Sequence, residues 1–150
     1  MDKAQLVVDL LINKGLKIST AESCTGGLLA ERITSIPGSS KCFEMGVITY
    51  SNQSKIKILN VSQDTLETFG AVSEQTALEM STGIKTLSNA DIAIGITGIA
   101  GPTGGTLNKP IGLVYIAIND NIYKLKLTGD RKFIQKQAVY FALSKVFETY

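Results

Sequence analysis

Leu6, Val7, Leu10 and Leu11 recur at helical spacing behind Asp2, and Gly15 stops the run, so the chain is predicted to open with a helix. Leu16 to Thr20 reads as a short strand, Ala21 to Gly27 as a turn, and Leu28 to Ile33 as a second helix. Pro37-Gly38-Ser39-Ser40 breaks the chain, and Phe43 to Tyr50 follows as a strand whose apolar positions fit partial burial. Asn52 is placed to cap a short helix carrying Lys55, Ile56, Ile58 and Leu59, and Ser62 to Phe69 forms another. Ser73 before Glu74 and Gln75 starts a longer helix that reaches Leu87.

Asp91 to Thr97 is almost wholly apolar, the pattern of a strand covered on both faces, and Gly98 to Pro110 is a glycine-rich loop. Gly112 to Ile118 and Ile122 to Leu127 flank Asn119-Asp120-Asn121 as a hairpin, and Asp130 to Phe147 returns to helical periodicity. This alternation predicts an α/β fold, a three-layer α/β/α domain over residues 1–150 with a mixed, mostly parallel sheet and a C-terminal hairpin plus helix.

Composition narrows the chemistry. No apolar run nears the roughly 18 residues of a membrane span, and Met1 to Gln5 lead directly into the amphipathic helix, so a cytoplasmic protein without a membrane partner is expected. A net charge of +2 with scattered lysines gives no basic patch, and no nucleic-acid partner is expected. Cys24 and Cys42 lack metal-type spacing and read as thiols. The chain has no histidine, which removes the commonest general base and metal ligand, so any hydrolytic base must be a lysine, tyrosine or carboxylate, or come from a partner.

Ser23 lies in the predicted strand-to-helix turn, where a nucleophile can be exposed while nearby amides stabilise developing negative charge. The same residues also suit an ordinary helix cap and tight turn. Lys55 follows the second strand and serves as a base if burial lowers its pKa; otherwise it is a solvated surface lysine. Tyr50 offers a hydroxyl to orient that lysine or relay a proton, or is an aromatic at the core edge. Cys24 competes as nucleophile but lacks the histidine that usually supplies a thiolate partner. Thr97-Gly98-Ile99-Ala100-Gly101 opens a loop at a strand end, where backbone amides suit a phosphate or oxyanion, or the loop is simply mobile surface.

Ala21-Glu22-Ser23-Cys24-Thr25-Gly26-Gly27, Gly46 to Asn52 with Lys55, Gly70-Ala71-Val72-Ser73-Glu74, Thr97 to Pro102 with Gly104-Gly105, and Lys109-Pro110-Ile111-Gly112 recur in an order and spacing that span nearly the whole chain. In these segments the sequence resembles the CinA C-terminal domain family, which includes bacterial nicotinamide-nucleotide amidases. The resemblance implies hydrolysis of nicotinamide mononucleotide to nicotinic acid mononucleotide and ammonia in pyridine nucleotide salvage. It makes Ser23 the nucleophile and Lys55 the base, assisted by Tyr50.

Substrate and oxyanion contacts are expected from Cys24, Thr25, Gly26, Gly27, Thr97, Gly98, Ile99, Ala100, Gly101 and Arg131, although Arg131 also suits the first turn of the last helix. No metal and no cofactor are expected, and the resemblance suggests a homodimer or other homo-oligomer. Some members carry a further N-terminal domain linked to pyrophosphatase activity; without its counterpart here, amidase activity alone is expected. The family name also associates it with competence and DNA damage, which leaves a non-enzymatic binding role, or an amidase acting on another small amide, as alternatives.

Overall fold

The computed structural model describes residues 1–150. Helix α1, Lys3–Lys14, is capped by the Asp2 carboxylate, which accepts from the Ala4 amide, and ends at Gly15 in the left-handed region. Strand β1, Ile18–Glu22, runs into the short helix α2, Leu28–Thr34, and β2, Phe43–Ile48, leads into α3, Asn52–Leu59. Helices α4, Gln63–Phe69, and α5, Glu74–Ser88, precede β3, Ile92–Gly98. Strands β4, Leu113–Ile118, and β5, Asn121–Lys126, form a hairpin before α6, Arg131–Thr149, whose cap Asp130 accepts from the Phe133 amide.

The five-stranded sheet has the order β2-β1-β3-β4-β5. Strands β2, β1 and β3 are parallel, while β3-β4 and β4-β5 pair antiparallel, so the sheet is mixed. Helices α1, α2 and α6 cover one face over the larger core, which includes Leu11, Ile18, Leu29, Ile94 and Ala142. Leu59, Leu66, Met80 and Ile84 of α3 to α5 pack with Ala21 and Ala93 on the other face, completing three layers. At Gly95 a Cβ would stand 2.5 Å from the Ala77 carbonyl oxygen, so the absent side chain lets α5 lie directly on β3. No helix is long and apolar enough to cross a membrane.

Several boundaries differ from expectation for local reasons. The first strand runs on through Ala21 and Glu22, because both pair with β2 and β3. The second strand ends at Ile48, since Ser51 rather than Asn52 caps α3, in a capping box with Ser54. Asn121 pairs with Ile118, leaving a tighter hairpin turn in which Asn119 takes φ 52°.

From β1 the chain passes to β2 on one side and later to β3 on the other. The connections thus diverge between β1 and β3, and a crevice opens beyond the carboxyl ends of the parallel strands.

Candidate active site

Ser23 is the first residue beyond β1. Its amide donates to the Ile96 carbonyl of β3, and the Glu22 carbonyl beside it accepts from Thr49 at 2.9 Å, so the turn is anchored to both neighbouring strands. A cavity of about 250 Å³ opens here. Ser23, Cys24, Tyr50, Lys55, Thr97, Gly98, Ile99, Ala100, Gly101 and Arg131 all line it.

Lys55 enters from the first turn of α3 and is 1% exposed. Its Nζ lies 3.1 Å from Ser23 Oγ, 3.0 Å from the Thr49 carbonyl and 3.3 Å from the Tyr50 carbonyl. Burial pulls its pKa below the usual lysine value. A neutral amine has two N–H donors and one lone pair. The carbonyls of Thr49 and Tyr50 can accept the two donors, which leaves the lone pair for the Ser23 hydroxyl.

Cys24 is adjacent to Ser23 but 6% exposed, and burial pushes its thiol up to about 12. A thiol so raised remains protonated at neutral pH and is a poor nucleophile. Ser23 and Cys24 thus differ in setting: the hydroxyl lies against the Lys55 amine, while burial keeps the thiol protonated.

The Tyr50 hydroxyl does not reach Lys55. Tyr50 follows the end of β2, its side chain is exposed, and its hydroxyl accepts from Arg131 at 2.8 Å, while its backbone carbonyl meets the lysine. Arg131, at the first position of α6, also donates to the Gly101 carbonyl at 2.7 Å. It joins α6, the glycine-rich loop and the segment after β2 at the cavity rim.

Thr25, Gly26 and Gly27, expected beside Cys24 in contact with substrate, lie outside this cavity and line a separate depression with Lys132 and Lys136. The Gly26 amide is drawn back to the Ser23 carbonyl and the Thr25 hydroxyl to the Glu22 carboxylate, which turns these residues away. The amides of Cys24, Ala100 and Gly101 donate to no backbone carbonyl.

Thr103 and Gly104 of the glycine-rich loop also line the cavity, as do Asn52, Ala71 and Val72, which the sequence does not single out as site residues. Ala71 and Val72 belong to the Gly70-Ala71-Val72-Ser73-Glu74 segment, and Thr97 fixes them by donating to the Ala71 carbonyl at 2.7 Å. Membership of that segment was the available signal. No group of three or more Cys, Asp and Glu side chains is arranged to hold a metal ion.

Comparison with known proteins agrees with this architecture. A "CinA-like protein" of Kosmotoga olearia is 53% identical over 146 residues, covering 95% of this chain and 35% of the relative. The chain thus spans about a third of the length of that curated relative. A crystal structure of a competence-damaged protein (CinA) superfamily protein from Klebsiella pneumoniae is 41% identical, with TM-score 0.94 and coverage of 97% of this chain and 94% of the other. The competence/damage inducible protein CihA of Agrobacterium tumefaciens is 40% identical, with TM-score 0.91 and coverage of 99% and 96%. The family model of the CinA C-terminal domain matches residues 1–150, and the chain belongs to that family.

Proposed function

We propose that this chain is a serine and lysine amidase that hydrolyses nicotinamide mononucleotide to nicotinic acid mononucleotide and ammonia. The observation that carries the proposal is the buried Lys55 Nζ at 3.1 Å from Ser23 Oγ, with a lowered pKa. A lysine removed from water and placed on a hydroxyl suits general-base catalysis in a chain without histidine.

In this mechanism neutral Lys55 takes the Ser23 proton as Oγ attacks the carboxamide carbon. The tetrahedral adduct collapses by breaking the C–N bond, and the Lys55 ammonium returns the proton to the departing nitrogen. Ammonia leaves an acyl-enzyme ester. A water molecule then gives a proton to Lys55 and attacks the ester, and the lysine returns that proton to Ser23 as the acid is released.

The Cys24 amide, one residue past the nucleophile, and the Ala100 and Gly101 amides have donors to spare for the oxyanion, where losing one typically costs about 100-fold or more in rate. Arg131 at the rim, with the loop amides, suits the substrate phosphate.

The test is ammonia release from nicotinamide mononucleotide by the purified protein, with chelator present, beside Ser23→Ala and Lys55→Ala. Turnover lost in both variants, with circular dichroism unchanged, is the expected result. No release by the unaltered protein would overturn the substrate assignment, and normal release by Ser23→Ala would overturn the nucleophile.

A further inference from the structure

Glu22 closes β1 with a buried carboxylate. It is 1% exposed and forms no ion pair, which makes it costly to bury unless its oxygens are fully satisfied. They are met by three donors from one direction. The Thr25 hydroxyl and Leu29 amide donate to Oε1 at 2.7 and 2.8 Å, and the Ala30 amide donates to Oε2 at 3.0 Å.

Helix α2 begins after Gly27, which has no side chain to cap it, so the first-turn amides are capped from the end of β1 instead. The resulting bonds bridge the turn that holds Ser23. Gln135 of α6 adds a second tie by donating to the Cys24 carbonyl at 3.0 Å.

An exposed serine or aspartate at the helix start would cap α2 at lower cost, but it would leave the turn free to move relative to β1. The buried carboxylate joins the last residue before the nucleophile to the helix after it. We propose that Glu22 is a positioning residue for Ser23: by fastening the turn to α2 it holds Oγ on Lys55 and leaves the Cys24 amide facing the cavity. This depends on Ser23 and Lys55 acting as the pair proposed above. It also assigns the Leu29 and Ala30 amides to Glu22 rather than to the oxyanion.

The experiment uses a fluorophosphonate probe, which does not require the natural substrate. Ser23 Oγ attacks phosphorus, fluoride leaves, Lys55 receives the hydroxyl proton, and labelling is located by mass spectrometry. Glu22→Gln keeps one acceptor oxygen but turns an NH2 group toward one of the helix amides. Thr25→Val removes one donor with little change of shape, and Thr25→Ser restores it.

The expected result is labelling of Ser23 in the unaltered protein, about 10 to 100-fold slower labelling per folded molecule in Glu22→Gln, several-fold slower labelling in Thr25→Val, and recovery in Thr25→Ser. A purely structural cap would lower the melting temperature and leave the rate per folded molecule unchanged. That outcome overturns the proposal while leaving the Ser23 and Lys55 pair intact. If Glu22→Gln does not fold, equal rates in the two Thr25 variants overturn it. An unlabelled Ser23 in the folded, unaltered protein overturns both the pair and the role given to Glu22.

Discussion

The Tyr50 hydroxyl and the Arg131 guanidinium meet at 2.8 Å on the rim of the cavity, with the hydroxyl as acceptor. Tyr50 therefore orients Arg131 through its side chain and Lys55 through its backbone. Tyr50→Phe removes only the first contact. Steady-state kinetics on nicotinamide mononucleotide should show KM raised about 3 to 10-fold with kcat largely kept, whereas a fall in kcat alone would place the hydroxyl on the proton path.

Lys55→Arg should be inactive, losing on the order of 100 to 10,000-fold in kcat, because guanidinium stays protonated and cannot act as the base. Lys55→Met should also be inactive but more stable at pH 7, with Tm raised by roughly 3 °C or more, since a buried amine held on a hydroxyl and two carbonyls is replaced by an apolar chain. Differential scanning calorimetry beside the amidase assay separates the two effects.

The lowered pKa of Lys55 gives two pH dependences. The rate constant kcat/KM should rise with pH as Lys55 loses its proton, with its midpoint below the ordinary lysine value of 10.5. For stability, the unfolded lysine binds its proton more tightly than the folded one. Between the lowered folded value and 10.5 the unfolded chain carries more protons, so stability rises with pH across that window. Below it the full penalty applies. Urea titrations at several pH values should show a slope there that Lys55→Met lacks.

Cys24, with its thiol near 12, should react with iodoacetamide at pH 8 at least about 100-fold more slowly than a free thiol. Peptide mapping after timed quenching measures this. Rapid alkylation of Cys24 would show a thiolate in the site and reopen the choice of nucleophile.

Much of the scaffold could be read in advance, because its signals are local. Asp2, Ser73 and Asp130 each cap a helix where the pattern placed one, and the apolar run of β3 is buried as expected. Strand ends were less legible. Nothing adjacent to Ala21 and Glu22 shows that they pair with β2 and β3, and Ser51 and Asn52 are equally good caps by residue type alone.

The site shows the same division. Ser23, Lys55 and the Thr97 to Gly101 segment are candidates by residue type and position, the resemblance implies roles for Ser23 and Lys55, and the fold brings all of them to one cavity. The outward turn of Thr25 to Gly27 and the use of Glu22 as a cap depend on where α2 lies over β1, which no short window encodes.

Gly95→Ala should destabilise the fold by about 1 to 3 kcal/mol, because the added methyl meets the Ala77 carbonyl oxygen at 2.5 Å and the Ser81 amide nitrogen at 2.7 Å. Chemical denaturation checks this. Activity per folded molecule should change little, since Gly95 does not line the cavity.

The contacts of the site join distant parts of the chain. Ser23 and Lys55 are 32 residues apart, Tyr50 and Arg131 are 81 apart, and Cys24 and Gln135 are 111 apart. A nascent chain that has not yet delivered α6 has neither the arginine that closes the rim nor the glutamine that steadies the nucleophile turn. Under the proposed mechanism the setting of Ser23 is complete only once α6 has docked, and recovery of turnover during refolding would report assembly of the whole domain rather than of any one part.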